Sequence, residues 1–174
     1  MNLSLDIISG KDLKQEDLDL INQYRKIRLN RDTVWDHQTH NNFHTKTIFL
    51  LRDEGDLQAF CTLKPITVFV SKKEHKIAGL QAVIAIKQGK GYGKALMQRL
   101  LQYISEKNMI VVGFCEKTNT EFYRKSGFKI FIDGCEYFVY INEKGEKYTD
   151  DPGDVIYFSE EKSFMDEVSD KKLE

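Results

Sequence analysis

Proline occurs only twice in the 174 residues, at Pro65 and Pro152, so almost no backbone position is barred from a helix or a sheet ladder. Cysteine is scarce too. Cys61, Cys115 and Cys135 are odd in number and form no CxxC pair, which excludes a disulfide framework and a cysteine-based zinc site. They read as small apolar residues of a reduced, cytoplasmic protein. No apolar run approaches the ~20 residues of a membrane span. The start, MNLSLDIISGKD, lacks the basic end, apolar middle and small-residue cleavage site of a secretion signal. Charge of one sign is also missing: 26 Lys and Arg meet 27 Asp and Glu, a net −1, so nothing draws the chain to nucleic acid or to an anionic membrane. The length suits a single domain, expected over residues 1–159 and followed by an acidic tail, 160–174.

What is present alternates between strand and helix patterns. LSLDII (3–8) reads as a strand, and Asp12 as the cap of a helix running to Leu29 with apolar positions at Leu13, Leu18, Ile21, Tyr24 and Ile27. The polar and aromatic stretch 31–45 holds a short second helix. Strands follow over 46–52, 57–70 (bent at Pro65) and 76–86, joined by the turns DEGD and SKKEH. A helix runs from the next glycines to Lys107, then a short strand over 109–115 and a helix over 118–127 ended by Gly127. Strands are expected over 128–132, 135–141 and 155–159, with a loop over 142–154. This order predicts an α/β (α+β) domain, its mixed sheet mostly antiparallel with one parallel step at the glycine loop.

That loop is the most informative stretch. In AVIAIKQGKGYGKALMQRLL (82–101), glycines at 89, 91 and 93 lie between an apolar strand and an amphipathic helix. Successive backbone N–H groups then meet a helix N-terminus, where they lack partners and favour an anion such as a pyrophosphate. Glycine leaves room for the phosphate and allows positive φ. A plain glycine-rich turn is the bland alternative. The P-loop pattern fails because position 88 is Gln and Ala95 follows Lys94, and the dinucleotide pattern fails because position 94 is Lys.

Gln88-Gly89-Lys90-Gly91-Tyr92-Gly93 resembles the Q/R-x-x-G-x-G/A loop of the GCN5-related N-acetyltransferases (GNAT), and EFYRKSGF (121–128) resembles that family's F-Y-x-x-x-G-F segment. With the order of elements, the likeness covers residues 3–141. A weaker similarity to the aminoglycoside 2′-N-acetyltransferases lies in VWDH (34–37), the long hairpin into Ala82-Val83 and TDDPGDVIYF (149–158). Those enzymes carry a glutamate where Gly79 stands here. The resemblance implies a GNAT fold with acetyl-CoA as co-substrate. It implies cofactor contacts from Gln88, Gly89, Lys90, Gly91, Tyr92, Gly93, Lys94 and Asn119, and strand-like pairing of Ala82 and Val83 with the pantetheine arm. It also implies Tyr123 as the acid that protonates the departing thiolate; packing beside Phe122 is the alternative.

The acceptor is expected to be a small-molecule primary amine, with Trp35 and Asp36 in the groove and Asp151, Asp150 or Asp154 as further carboxylates; a solvated acidic turn is the alternative there. No base stands out among Asp36, Glu74, His37, His75 and Glu116, and ordered water is an equal candidate. His37, His40 and His44 fall on one helical face without a carboxylate or cysteine in register, so no metal is expected. Two other functions stay open, a protein or peptide N-acetyltransferase and a non-catalytic CoA-binding module, as does pairing of two copies into a homodimer.

Overall fold

The computed structural model describes residues 2–37, 41–70, 72–141, 145–149, 152–160, 165, 166 and 168. The chain forms two compact units: Met1–Pro65 with Gly79–Gln102, and Ile66–Ala78 with Tyr103–Glu174. Among the described residues no helix is long and apolar enough to cross a membrane.

The first unit holds β1 (Leu3–Ser9), α1 (Gln15–Leu29), α2 (Asn41–His44), β2 (Thr47–Asp53), the start of β3 (Asp56–Val70), the end of β4 (Lys73–Ala85) and most of α3 (Tyr92–Glu106). The second holds the rest of β3 and β4, the end of α3, β5 (Val111–Cys115), α4 (Thr120–Ser126), β6 (Lys129–Phe131), β7 (Val139–Ile141), β8 (Lys147–Thr149) and β9 (Asp154–Phe158). Seven strands are hydrogen-bonded in the order β1-β2-β3-β4-β5-β9-β6, a mixed and mostly antiparallel sheet flanked by helices. Helix α3 supplies the long crossover that a parallel step requires.

In the first unit β2 is apolar on both faces, and Ile48, Phe49, Leu50 and Leu51 are all buried. Helix α1 lays Leu18 and Ile21 on a core with Trp35, Phe43, Leu50, Phe60 and Ile84. Arg52 is fixed by Asp6 (Nε to Oδ2, 2.8 Å) and by the buried Asp17 (Nη2 to Oδ2, 2.7 Å), which ties α1 to β1 and β2. Asp12 does not cap α1. It lies in a 3-10 turn, Gly10–Asp12, closed by Leu13 N–H on the Gly10 carbonyl, and the helix starts three residues later behind Lys14. The long strand expected over 57–70 is β3, which runs through Pro65 to Val70; the irregularity in β2–β3 pairing lies at Leu51 and Arg52.

In the second unit, β9 inserts between β5 and β6 and pairs antiparallel with both. The strand expected over 135–141 is mostly absent. Asp133 adopts the left-handed region (φ 54°), and Gly134–Tyr137 coils into a 3-10 turn. Gly134 lies so close to Phe131 and Val155 that a Cβ there would stand 2.5 Å from the Phe131 ring. Only β7 remains extended, and it pairs with β8, a strand within the expected loop, in a separate two-stranded sheet.

Gly10 sets the segment from Phe43 to Lys46 against the end of β1. Its N–H donates to the Lys46 carbonyl at 2.8 Å, and a Cβ there would stand 2.0 Å from the Phe43 carbonyl oxygen. Backbone cannot swing aside as a side chain can. Gly10→Ala is therefore expected to destabilise the protein by about 1–3 kcal/mol, read as a lower urea midpoint with an unchanged slope.

Candidate active site

The glycine loop sits where β4 gives way to α3. Gly89 (φ 73°) and Gly91 (φ 82°) occupy the left-handed region, and a Cβ at either would meet nothing within 4 Å. The loop thus presents bare backbone to open space. The first helical bond runs from Ala95 N–H to the Gly91 carbonyl at 3.0 Å, so the N–H groups of Tyr92, Gly93 and Lys94 precede any helical acceptor. Gln88, Lys90 and Lys94 are exposed beside them, and Gly93 lies in the first turn of α3. Donors, open space and two lysines fit a pyrophosphate.

Tyr92 has a different part. Its ring is buried, and its hydroxyl donates to Asp53 Oδ2 at 2.7 Å; Asp53 Oδ1 accepts the Asn2 N–H at 2.9 Å. That tyrosine bond, above all, holds the Asp53 carboxyl below its ordinary range and pushes the phenol up. Tyr92 anchors the loop through its side chain, so only its N–H is offered to a ligand. The end of β4 is pinned from the other side, with Ile86 N–H on the Gln58 carbonyl at 2.8 Å and Arg28 Nη2 on the Ile86 carbonyl at 3.2 Å.

Within β4, Ala82 takes φ 51°, a left-handed residue inside a strand with neither glycine nor asparagine to ease it. Such a residue costs on the order of 1 kcal/mol, and β4 nevertheless runs on to Ala85. The Gln81 carbonyl accepts from Thr62 Oγ1 at 3.4 Å, and the Gln81 side-chain Oε1 accepts from Lys46 Nζ. Ala82 and Val83 are half-buried, and Gln81 is exposed.

Trp35 is buried against α1, where Asn22 bonds it twice. The Trp35 N–H donates to Asn22 Oδ1 at 2.8 Å, and Asn22 Nδ2 donates to the Trp35 carbonyl at 2.7 Å. The indole lies 5.4 Å from the Phe43 ring and carries two cations, the Arg25 guanidinium at 3.8 Å and Lys46 Nζ at 4.8 Å. Arg25 donates to the Thr33 carbonyl at 2.8 Å and to Asn22 Oδ1 at 3.3 Å. Burial, helped by Arg31, lowers the Arg25 guanidinium to about 10. Burial, then Lys64 and Arg25, lowers the Lys46 ammonium to about 8. Lys46, Gln81, Asn22 and Arg25 carry no motif; Lys46 is only the polar residue before an apolar strand.

Asp36 is half-buried beside Trp35. His37 packs edge-on to Phe43 and lies 6.0 Å from the His44 ring. Among the described residues no three His, Cys, Asp or Glu side chains gather as metal ligands. Asp150, Asp151 and His40 lie outside the described residues. Asp154 turns inward: it is 2% exposed, Oδ2 accepts the Thr120 hydroxyl, and Oδ1 accepts the Asp133 N–H at 2.9 Å. It fixes the start of α4 and offers no carboxylate to solvent.

Tyr123 belongs to the second unit. It is half-buried on α4, its ring 5.0 Å from Phe122 and 5.9 Å from Phe128, both edge-on. Gly127 ends α4 in the left-handed region (φ 104°), and Phe128 N–H returns to the Tyr123 carbonyl at 3.1 Å. Asn119 precedes α4, exposed, and its side chain makes no cap.

The profile of the acetyltransferase (GNAT) family matches residues 16–128, more than half of the chain. No curated protein is detectably similar in sequence. Solved structures share the fold at low identity. Escherichia coli ElaA is 15% identical with a TM-score of 0.60, over 89% of this chain and 98% of that one. An N-acetyltransferase from Staphylococcus aureus Mu50 is 13% identical with a TM-score of 0.61, over 91% and 98%. A predicted acetyltransferase from Clostridium acetobutylicum, solved with acetyl-CoA, is 16% identical with a TM-score of 0.54, over 73% and 90%.

Lys46 yields a stability test. Its folded pKa of about 8 lies below the ordinary 10.5, so between those values the unfolded chain holds a proton that the folded protein has lost. Stability then rises with pH, and the burial penalty is complete below pH 8. Urea melts of the wild type and Lys46→Met are expected to diverge in the wild type's favour from pH 8 to pH 10. A difference independent of pH contradicts the burial of this charge.

Proposed function

The chain belongs to the GNAT acetyltransferase family, and on that premise we propose that it transfers an acetyl group from acetyl-CoA to a primary amine of a small molecule. The observation that carries this reading is the pairing, within one compact unit, of bare left-handed glycines at a helix start with the left-handed Ala82 inside β4. Backbone N–H groups of Gly89 to Lys94 hold the pyrophosphate, and Lys90 and Lys94 add charge. Backbone groups of Gln81 to Val83, around the left-handed Ala82, pair with the extended pantetheine arm. Bound there, acetyl-CoA supplies an acyl group already activated as a thioester.

An N–H in the stretch Leu80 to Ala82 donates to the acyl oxygen, a role in which losing one donor typically costs ~10²–10³ in rate. Tyr123 Oη holds the proton that sulfur takes up as the C–S bond breaks. A phenol, which ordinarily titrates at ~10, serves a thiolate whose thiol lies near ~8.5 because the sulfur grows basic only as it departs. Trp35 forms the acceptor wall, and Asp36 and Asp151 read an ammonium; an aminoglycoside-like amine is one acceptor of that kind. The enzyme is placed in the cytoplasm, acting on its amine without nucleic acid or membrane.

The test is an acetyl-CoA-dependent thiol-release screen over aminoglycosides, polyamines, amino acids and short peptides. Turnover with peptides alone would make this a protein or peptide acetyltransferase. Cofactor binding without turnover on any amine would make it a regulatory module.

Two substitutions test the assignments. Gly91→Asp places a carboxylate where the phosphate would lie, and calorimetry is expected to show acetyl-CoA binding abolished in a folded protein. Tyr123→Phe is expected to lower turnover ~10²-fold with cofactor affinity unchanged, since the hydroxyl acts only as charge develops on sulfur. Full activity would leave Tyr123 a packing residue.

A further inference from the structure

The acceptor amine arrives as an ammonium and must lose a proton before it attacks, and no group assigned so far receives it. The first unit offers one. Lys46 Nζ bonds to Gln81 Oε1, one residue before the left-handed Ala82, and lies 4.8 Å from the centroid of the Trp35 ring. A single amine thus touches both the proposed acceptor wall and the strand proposed to hold the acyl group. We infer that Lys46 is the proton acceptor for the incoming amine, an inference that rests on the acetyltransferase reading above.

Its surroundings suit the task. Lys46 is 7% exposed, so its ammonium is poorly solvated, and Gln81, through which it meets the surface, is exposed. The charged groups around it are Arg25 on α1 and Lys64 on β3, both cationic, and β4 contributes the neutral amide of Gln81. Asp36, His37 and His44 belong to the segment that carries Trp35 and Phe43. Among the described residues Lys46 forms no ion pair with a carboxylate. Lowered to about 8, it is neutral in an appreciable fraction of molecules at pH 7 to 8, the range in which a base serves best.

The proton inventory closes. Neutral Lys46 Nζ takes one proton from the substrate ammonium, directly or through one water, and becomes an ammonium. The freed amine nitrogen bonds the acyl carbon as the C–S bond breaks, and sulfur takes the Tyr123 proton. The nitrogen's second proton restores Tyr123 through solvent, and Lys46 returns its own to water. Ammonium and thioester become amide, thiol and one released proton.

Two measurements on the full chain test this. In protein labelled with ¹³C and ¹⁵N at lysine, without any CoA, the Lys46 ammonium is expected to titrate near 8, its signal assigned by its loss in Lys46→Arg. Titration above 10 with the surface lysines would overturn the inference and needs no activity. Second, with an amine that the enzyme accepts, wild-type kcat is expected to rise with pH through an inflection near 8. Lys46→Arg and Lys46→Met are expected to lose that inflection and to fall ~10²-fold at pH 7.5, with unchanged acetyl-CoA affinity. Arginine can keep the bond to Gln81 but cannot accept a proton, so a merely positioning role predicts rescue in Lys46→Arg. An active enzyme whose Lys46→Arg variant keeps the wild-type profile overturns this inference alone. A protein that binds acetyl-CoA yet acetylates no amine overturns the function and this inference together.

Discussion

The left-handed turn of Ala82 inside β4 is the constraint on which the rest of the first unit depends. A positive φ is strained for any residue with a Cβ, so an alanine there stays only if its neighbours hold it. They do so from three directions. Thr62 bonds the preceding carbonyl, Lys46 bonds the preceding side chain, and Gln58 with Arg28 pins Ile86 beyond it. The core closes beneath, with Ile84 buried and Ala82 packed against the cluster of Trp35, Phe43 and Phe60. The cost of one residue's conformation is spread over β3, β4, α1 and the residue before β2.

The same economy places Trp35. Trp35 belongs to no helix or strand, yet it is held as firmly as a core residue. Asn22 bonds both its backbone polar groups, Arg25 stacks on its ring, and Phe43 packs beside it. Phe43 is fixed in turn by the approach of Gly10 to its carbonyl and by the bond from Lys46 N–H to that carbonyl at 3.0 Å. An irregular segment is thereby set against the sheet through backbone contacts, which tolerate less drift than long side chains do.

How far the site is legible in the sequence follows from the range of each interaction. The glycine loop is legible because positive φ at positions 89 and 91 demands a residue type, and Gly127 is legible for the same reason. Ala82 takes the same conformation and carries no mark, because tertiary bonds force it. Asp12 misleads because a capping residue type can serve a separate turn just as well. The strand expected over 135–141 fails because Gly134 must pack on Phe131 and Val155, a contact set by the insertion of β9 between β5 and β6. Asp154 reads as one of several acidic loop residues until Thr120 and Asp133, 34 and 21 residues away, claim its two oxygens. Lys46 and Gln81, 35 residues apart, are equally silent until the sheet brings them together.

Lys46 and Arg52 meet different partners, and the proposed chemistry depends on that difference. A buried ammonium that serves only stability gains most from a carboxylate, which repays part of its lost hydration and raises its pKa. This chain makes that choice for Arg52, which it sets between Asp6 and Asp17. Lys46 receives an amide oxygen and an aromatic face, with Arg25 and Lys64 nearby as like charges. An amide oxygen accepts from the amine in either charge state, so the contact survives when the proton leaves. A glutamate at position 81 would hold the proton in place and close the range in which Lys46 can exchange it. The neutral partner leaves Lys46 anchored and poorly solvated between the Trp35 ring and Gln81 of β4.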